Sequence, residues 1–242
     1  MIKYTGRYIY VQKHPNNLLT NYHIEVKFMR QQVVERILGK KAIAIVRGIF
    51  EEDCLNLAKA LLDGGVELLE VTFDQKSAEE RQRTAATIRL LVKELGDRMC
   101  FGAGTVTTVE MVEMAKAAGA QFIVSPDTNA DVIRATVAAD MVSIPGAMTP
   151  TEIAQAHRYG GDFIKVFPVS TLGPSYIKNV AAPLSNVRML AVGGVDGSNI
   201  GAYLAAGAVG AGVAGCLFKK DWVAAGQWDK ITEASRAFVA KL

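Results

Sequence analysis

Eight short, almost uninterrupted apolar runs recur along the chain, and a longer amphipathic stretch follows each of them. Apolar runs of this length and continuity are typical of parallel strands that are buried on both faces. Parallel strands require a crossover connection, which the amphipathic stretches can supply as helices. The pattern therefore predicts an α/β fold. The predicted strands are 42–47, 68–73, 100–106, 122–126, 141–145, 163–168, 189–195 and 209–215.

The number and spacing of these units favour a closed barrel over an open sheet. Eight strand–helix units in roughly 200 residues lie near the small end of the range for a (β/α)8 barrel. The rival is a doubly wound sheet, but its G-x-G-x-x-G turn does not open the first helix. We therefore predict a single parallel (β/α)8 TIM barrel over 29–242, with a short helix at 30–38 closing its bottom. The predicted crossover helices are 51–64, 77–95, 108–119, 129–139, 150–160, 174–181, 197–207 and 220–241.

Residues 1–28 do not share this periodicity, because they are polar with scattered aromatic side chains and include a turn-like cluster at 13–17. We predict that they form an extension ahead of the barrel domain. They do not contain the apolar core of a signal peptide. No stretch of about 18 apolar residues, the length of a membrane span, occurs in the sequence. These features predict a cytoplasmic protein that does not enter a membrane.

Charge and cysteine usage narrow the range of partners. The chain has 27 Lys and Arg against 24 Asp and Glu, with both signs interspersed. No basic stripe therefore predicts nucleic-acid binding. Cys54, Cys100 and Cys216 stand far apart without a C-x-x-C pair, and the three histidines are scattered. This spacing is typical of thiols in a reducing compartment and does not fit a zinc site. We expect no metal, no cofactor and a small-molecule partner.

The most informative polar residue is Lys165, which lies inside the apolar run 163–168. Strand alternation places it on the same face as Phe163 and Phe167. Burial between two aromatic side chains disfavours the ammonium form and lowers the pKa of a lysine. The free amine could then attack a carbonyl carbon and form a Schiff base. The alternative is a lysine that reaches water or a carboxylate at the barrel mouth.

Glu70 shares a strand face with Leu68 and Thr72. A carboxylate on the inner face could lie near Lys165 and transfer the protons that Schiff-base chemistry requires. A structural ion pair with Lys165 or Arg47 would explain the same pattern. The sequence thus offers Glu70 as a general acid/base and leaves the structural alternative open.

Two further polar residues lie at the ends of predicted strands, where the active sites of such barrels are found. Arg47 ends the first strand, and a guanidinium there suits bidentate capture of a carboxylate. Thr105 offers a hydroxyl beside Gly102 and Gly104, whose small size lets a ligand approach the backbone. Either residue could instead lie on the surface or form a hydrogen bond with a polar group in the core.

Glycine-rich segments follow the last two predicted strands. Gly193 and Gly194 lie at the end of the seventh, and 212–215 lies at the end of the eighth. In many barrels these two loops bind a phosphate through backbone N–H groups. Glycines here could also serve only tight turns. The pattern predicts a phosphate-binding rim that includes Gly215.

A set of motifs in this chain resembles the 2-keto-3-deoxy-6-phosphogluconate / 4-hydroxy-2-oxoglutarate aldolase family over about residues 30–240. Each motif is weak by itself, whereas the set in the family's order is specific. The motifs are Ala44-Ile45-Val46-Arg47, Leu69-Glu70-Val71-Thr72, Gly102-Ala103-Gly104-Thr105-Val106, Ser125-Pro126, Pro145-Gly146 with Thr149-Pro150-Thr151-Glu152, Lys165-Val166-Phe167-Pro168 and Gly193-Gly194-Val195.

The resemblance implies a class I aldolase, which cleaves a 2-keto-3-deoxy acid to pyruvate and an aldehyde such as glyceraldehyde 3-phosphate or glyoxylate. It implies that Lys165 forms the Schiff base and that Glu70 is the general acid/base. Thr105 would contact the pyruvate carboxylate, and Pro126 and Phe167 would line the pocket. The family is typically homotrimeric, so the resemblance also implies a homo-oligomer. No cofactor or metal is implied.

Two positions depart from the family pattern. Asp74 stands where family members usually carry an arginine that holds the substrate carboxylate, so either Arg47 takes over this role or the substrate differs. At the phosphate rim, Ala214-Gly215-Cys216 replaces a Gly-Gly-Ser sequence. A phosphate could still bind through backbone N–H groups, and an unphosphorylated sugar acid is the alternative.

Two other functions are compatible with these residues. A phosphosugar isomerase or epimerase could use the glycine-rich rim without an imine, because one barrel fold hosts many chemistries. A barrel that only binds a keto acid would be consistent with Asp74. The position of Lys165 inside a strand argues against the isomerase, and the presence of both Glu70 and Lys165 argues against binding alone.

Overall fold

The structure is a computed structural model that describes residues 30–242 in full and the backbone of residues 2–4 and 7–9. Ile2–Tyr4 (β1) and Arg7–Ile9 (β2) pair in antiparallel fashion. The rest of the predicted extension at 1–28, and the predicted start of the barrel domain at 29, lie outside the described residues. The division of the chain into an extension over 1–28 and a barrel domain from 29 therefore stays a prediction.

From residue 30 onward, strands and helices alternate as the sequence predicts. A helix at 30–40 (α1) precedes the first barrel strand. The strands are Ala42–Val46 (β3), Leu68–Thr72 (β4), Cys100–Gly104 (β5), Phe122–Val124 (β6), Val142–Ile144 (β7), Gly146–Ala147 (β8), Ile164–Val166 (β9), Met189–Val192 (β10) and Ala208–Val213 (β11). The helices are Glu51–Asp63 (α2), Ala78–Leu95 (α3), Val109–Ala117 (α4), Ala130–Ala138 (α5), Pro150–Arg158 (α6), Gly173–Ala181 (α7), Ile200–Ala205 (α8), Lys220–Ala224 (α9) and Trp228–Val239 (α10). Within the described residues, no helix has the length and apolar character needed to span a membrane.

Strands β3 to β11 are all parallel and form a nearly closed barrel. Their order is β7-β6-β5-β4-β3-β11-β10-β9-β8, so β7 and β8 are the two ends. Pro145 alone separates β7 from β8, which makes them two halves of one strand position. The backbone N–H of Lys165 donates to the Pro145 carbonyl at 2.8 Å and links the junction to β9. The predicted (β/α)8 barrel is confirmed, with its fifth strand divided.

Several predicted strands extend too far at their carboxyl ends, because the backbone turns out of the sheet at the barrel mouth. Thr105 has a φ of 56°, and Gly193 and Gly194 have φ values of 94° and 79°. A left-handed conformation cannot continue a strand. The third and seventh barrel strands therefore end before these residues.

The prediction of one helix over 220–241 is wrong. The structure divides this segment into α9 and α10. Gly226 lies between them with a φ of 62°. Glycine adopts this conformation without a steric cost, and it ends a helix.

Local sequence explains where α6 begins. The Thr149 hydroxyl accepts a hydrogen bond from the Glu152 N–H at 3.3 Å, and the Glu152 carboxylate accepts one from the Thr149 N–H at 2.8 Å. Pro150 occupies the first turn, where no N–H donor is needed. This reciprocal arrangement is the capping box of a Thr-x-x-Glu sequence, and it starts the helix directly after β8.

Strand alternation sorts the buried apolar side chains into two layers. An outer layer lies between the barrel and its helices. The inner layer fills the barrel and includes Ile43, Leu68, Cys100, Phe122, Val142, Ile144, Phe163 and Leu190. Leu68 and Phe163 each lie two residues before a polar residue of the same strand. The same alternation therefore directs Glu70 and Lys165 into the barrel.

Helix α1 closes the bottom of the barrel, as predicted. Its residues Val33, Val34 and Ile37 are buried and pack against the inner layer. The guanidinium of Arg30 also donates three hydrogen bonds, of 3.3, 2.9 and 2.8 Å, to the carboxylate of Asp162 just before β9. The end of the barrel at which the strands begin is therefore closed by apolar contacts and an ion pair.

Replacing Ile37 with alanine should lower the free energy of unfolding by about 2–4 kcal/mol, because it leaves a cavity between α1 and the inner layer. Ile37 is fully buried, whereas Gln32 on the same helix is exposed. Gln32→Ala should change the free energy of unfolding by less than about 0.5 kcal/mol. Urea denaturation measures both variants, and equal losses would contradict the packing of α1 into the barrel.

Candidate active site

An open cavity of about 670 Å³ lies at the carboxyl ends of the barrel strands. Barrel enzymes build their active sites at this end. The cavity brings together all the residues that the sequence predicts for the site, although they are far apart along the chain. The predicted residues in its lining are Arg47, Glu70, Thr105, Pro126, Lys165, Phe167, Gly193, Gly194 and Gly215.

Lys165 extends from β9 into the cavity and is only 8% exposed. Its Nζ atom lies 4.8 Å from the centroid of the Phe167 ring. Burial lowers the pKa of Lys165, and nearby Arg47 lowers it further, while the charge of Glu70 opposes the shift. Within the described residues, Lys165 forms no ion pair shorter than 4.0 Å. Its amine is therefore available to react.

Glu70 extends from β4 and is 2% exposed. Burial raises its pKa to about 7, although Lys165 and Arg47 act in the opposite direction. The neighbouring strand makes room for the carboxyl group through Gly104. A Cβ atom at Gly104 would lie 2.6 Å from Oε1 of Glu70. Glu70 can thus gain or lose a proton near neutral pH.

Below this pair, the barrel interior is closed. Aliphatic side chains of Ile43, Val124 and Ile144 surround a void of about 10 Å³ beneath Glu70 and Lys165. Such a void holds one water molecule at most. The two polar groups therefore lie at the boundary between a closed apolar interior and an open cavity, and a substrate can reach them only from the mouth.

Arg47 and Thr105 are joined beside the cavity. Arg47 follows β3 and its Nη2 atom donates to the Thr105 hydroxyl at 3.0 Å. Thr105 follows β5 with its backbone in a left-handed conformation. A guanidinium and a hydroxyl in contact form a site that suits a carboxylate.

The glycine-rich rim also lines the cavity, and its Gly215 part follows β11, the strand that pairs with β3. A Cβ atom at Gly193 would lie 3.3 Å from the Phe167 ring, and one at Gly194 would lie 2.7 Å from Cβ of Ser170. The Gly194 carbonyl accepts a hydrogen bond from the Asn199 side chain at 2.9 Å. A Cβ atom at Gly215, in contrast, would have no neighbour within 4 Å among the described residues. The rim is therefore tightly packed at Gly194, whereas Gly215 has space for a side chain.

A sequence model of the family described as aldolase, KDPG and KHG aldolase, matches residues 33–234. The match includes most of the chain and all the predicted residues of the cavity. The chain belongs to this family. The family is the one that the sequence motifs resemble.

Two relatives cover most of the chain. The 2-dehydro-3-deoxy-6-phosphogalactonate aldolase of Escherichia coli (strain K12) is 36% identical over 178 residues, which are 73% of this chain and 84% of that protein. The 2-dehydro-3-deoxy-phosphogluconate aldolase of Treponema pallidum (strain Nichols) is 35% identical over 206 residues, which are 85% of this chain and 93% of that protein. Both relatives are aldolases, which are carbon–carbon lyases.

A crystal structure of KDPG aldolase from Legionella pneumophila shares the fold, with a TM-score of 0.72 and 27% sequence identity. The alignment covers 82% of this chain and 93% of that one. The Legionella structure holds pyruvate that was captured at low pH as a covalent carbinolamine intermediate.

The two departures from the family pattern have different surroundings. The carboxylate of Asp74 accepts hydrogen bonds from the N–H groups of Ser77 and Lys76, at 2.6 and 2.7 Å. These bonds lower the pKa of Asp74, and Asp74 is not part of the cavity lining. Cys216 does line the cavity. Burial raises the pKa of its thiol to about 11, so the thiol stays protonated.

The sequence does not predict Asp196, which lines the same cavity. Its carboxylate accepts hydrogen bonds from the hydroxyl and the N–H of Ser198, at 2.5 and 2.8 Å. These two bonds lower the pKa of Asp196. Its place two residues after Gly194, in a loop already predicted to bind a ligand, is the signal that could have identified it.

The cavity offers amine, carboxyl, guanidinium and hydroxyl groups as its reactive and binding functions. Within the described part of the chain, no three His, Cys, Asp or Glu side chains are grouped so that they could hold a metal ion. The roles proposed below are assigned to these amine, carboxyl, guanidinium and hydroxyl groups.

The raised pKa of Glu70 predicts a pH dependence of stability. Between pH 4.5 and about 7, folded protein keeps a proton on Glu70 that the unfolded chain has lost. The contribution of Glu70 to the free energy of unfolding therefore falls as pH rises through this window. Glu70→Gln has no such proton. The stability of Glu70→Gln relative to wild type should rise by about 3 kcal/mol across the window and then level off.

Urea denaturation of both proteins over a series of pH values measures this difference. A difference that does not change with pH would mean that Glu70 ionises in the folded protein as it does in the unfolded chain.

Proposed function

We propose that this chain is a class I aldolase that cleaves a 2-keto-3-deoxy phosphosugar acid, or 4-hydroxy-2-oxoglutarate, to pyruvate and an aldehyde. One observation carries the proposal: Lys165 presents an amine of lowered pKa to an open cavity. The uncharged amine is the form that attacks a carbonyl. Family membership and the carbinolamine in the Legionella enzyme support the same chemistry.

In the proposed reaction, Nζ of Lys165 adds to the C2 carbonyl of the substrate and forms a carbinolamine. Loss of water gives a protonated imine between Nζ and C2. The C3–C4 bond then breaks, its electron pair moves toward the imine to form an enamine, and the C4 hydroxyl transfers its proton to a base. The aldehyde leaves. Protonation of the enamine at C3 and hydrolysis of the imine release pyruvate and restore the amine.

We assign these proton transfers to Glu70. A general acid/base is most effective when its pKa lies near the working pH, and the pKa of Glu70 is about 7. As a carboxylate it accepts the proton of the C4 hydroxyl, and as a carboxylic acid it returns a proton to C3. The closed interior beneath it keeps bulk water away on one side.

We assign the C1 carboxylate of the substrate to Arg47 and Thr105. Both line the cavity and are in contact with each other. A guanidinium can bind a carboxylate through two parallel hydrogen bonds, and the hydroxyl offers a third. Pro126 and Phe167 would line the apolar part of the pocket, where the methyl group of pyruvate forms.

We assign the far end of the substrate to the rim of Gly193, Gly194 and Gly215. Backbone N–H groups of such loops bind phosphate in other barrels. The names of the two relatives, a phosphogalactonate and a phosphogluconate aldolase, agree with a phosphorylated substrate. A cavity of about 670 Å³ is large enough for a six-carbon acid.

We further infer a cytoplasmic homo-oligomer, a trimer by analogy with the family. Cys54, Cys100 and Cys216 form no disulfide within the described residues, which agrees with a reducing compartment. Sedimentation equilibrium of the purified protein would measure the number of subunits.

Borohydride reduction in the presence of pyruvate tests the central claim. Wild type should gain the mass of reduced pyruvate on Lys165, because the reduction converts the imine to a stable amine. Lys165→Ala and Lys165→Arg should gain none and should lose at least about 10³-fold in cleavage rate, as expected when a covalent nucleophile is removed. Intact mass and peptide mapping identify the modified residue.

The trapping result, combined with activity assays on phosphosugars and keto acids, separates the alternatives. No adduct at saturating pyruvate, together with interconversion of phosphosugars, would favour the isomerase or epimerase. No adduct and no turnover with a panel of keto acids would favour a barrel that only binds its ligand.

Gly215→Asp tests the assignment of the rim. A side chain fits at this position, so the variant should fold, and its carboxylate should repel a phosphate. We expect kcat/KM for the phosphorylated substrate to fall by roughly tenfold or more, with pyruvate trapping unchanged. Gly215→Asn has nearly the same shape without the charge and is the control. Equal losses with Gly215→Asn, or with the unphosphorylated sugar acid, would contradict a phosphate at the rim.

A further inference from the structure

Thr105 is held in place by Gln75, a residue that does not line the cavity. The Nε2 atom of Gln75 donates to the Thr105 carbonyl at 2.7 Å. Gln75 lies in the loop between β4 and α3, and it is exposed. The contact is made to the backbone carbonyl of Thr105 and not to its hydroxyl.

Two hydrogen bonds fix the orientation of the Gln75 amide. The Thr105 carbonyl can only accept, so the amide nitrogen of Gln75 must face it. The amide oxygen then faces Thr107, whose hydroxyl donates to it at 2.7 Å. Only one of the two amide orientations satisfies both neighbours.

Thr105 needs such support because it is β-branched and has a φ of 56°, a conformation that such residues rarely adopt. The chain on either side is tied to the sheet, since the Gly104 carbonyl and the Val106 N–H both form strand-like hydrogen bonds. The bond from Gln75 fixes the remaining carbonyl of this turn. It therefore helps to hold the backbone from which the Thr105 hydroxyl projects, and Arg47 donates to that hydroxyl at 3.0 Å.

The loop that carries Gln75 is itself held at two points. Asp74 accepts hydrogen bonds from the N–H groups of Lys76 and Ser77. The guanidinium of Arg81 donates to the Gln75 carbonyl at 3.3 Å. The acid at the position of the family's arginine thus shapes the loop that delivers Gln75 to Thr105.

We propose that Gln75 is a positioning residue, which holds Thr105 and, through it, Arg47 in the geometry that binds the substrate carboxylate. The proposal rests on the proposed function, because that function assigns Arg47 and Thr105 to the carboxylate. Gln75 touches neither the substrate nor the reacting atoms.

Gln75→Met tests the proposal, because methionine keeps the length of the side chain and removes both hydrogen bonds. The pyruvate concentration that gives half-maximal borohydride trapping on Lys165 should rise about tenfold, as expected for the loss of a positioning hydrogen bond. The maximal trapping rate should change less than about threefold, because imine formation depends on Lys165 and Glu70. Thr107→Val should shift the pyruvate dependence in the same direction by a smaller factor.

Trapping of acetone distinguishes the positioning role from a general structural defect, because a general defect would reduce trapping of acetone as well as of pyruvate. It is a ketone without a carboxylate, so its trapping on Lys165 should be the same in Gln75→Met and in wild type. Gln82→Met is the matched control, because Gln82 is exposed on the adjoining helix α3. It should leave both trapping curves unchanged. A pyruvate half-saturation within twofold of wild type, or an equal loss with acetone, would overturn the proposal.

A second measurement does not depend on the imine. In a Lys165→Ala background, Gln75→Met should weaken the binding of pyruvate, measured by NMR titration, by the same factor of about ten. If wild type forms no adduct but this binding still weakens, the aldolase function is wrong and the positioning role stands. If the adduct forms and the binding is unchanged, the positioning role is wrong.

Discussion

The burial of an amine and a carboxyl group at the top of an apolar barrel interior is the constraint on which the rest of this structure depends. Burial disfavours both charged forms, so the pKa of Lys165 falls and that of Glu70 rises. Their mutual attraction opposes both shifts without cancelling either. Burying these two polar groups destabilises the folded state. The apolar packing of the two layers, and of α1 at the opposite end of the barrel, offsets this loss of stability.

The architecture could be predicted from the sequence because it follows from periodicity. Continuous apolar runs between amphipathic stretches define parallel strands and crossover helices, and eight such units define a barrel. The ends of the strands could not be predicted, because the left-handed turn at Thr105 depends on hydrogen bonds from residues distant in sequence. The division of the fifth strand at Pro145 could not be predicted either, because it depends on tertiary pairing: β7 pairs with β6, and β8 pairs with β9.

For the candidate site too, some residues could be predicted from the sequence and others could not. Lys165 and Glu70 could be found because a charged residue inside an apolar strand stands out against its neighbours. Gln75 could not, because loop side chains follow no period and their partners are set by the three-dimensional fold. Asp196 is not among the predicted residues, although its place two residues after Gly194 is a signal in the sequence. The sequence raised the question of Asp74 correctly, but only the structure shows that its carboxylate binds its own loop.

That loop has an implication for how enzymes on this barrel diversify. Eight loops surround one mouth, and a cation carried by any of them can reach a common centre. A cation on one loop can therefore take the role of a cation on the neighbouring loop. Here the loop after β4 carries Asp74, and Arg47 follows the neighbouring strand β3. The lysine and the carboxyl group stay where they are during such an exchange. The group that binds the substrate can thus change from loop to loop while the strands keep the buried lysine and carboxyl group in place.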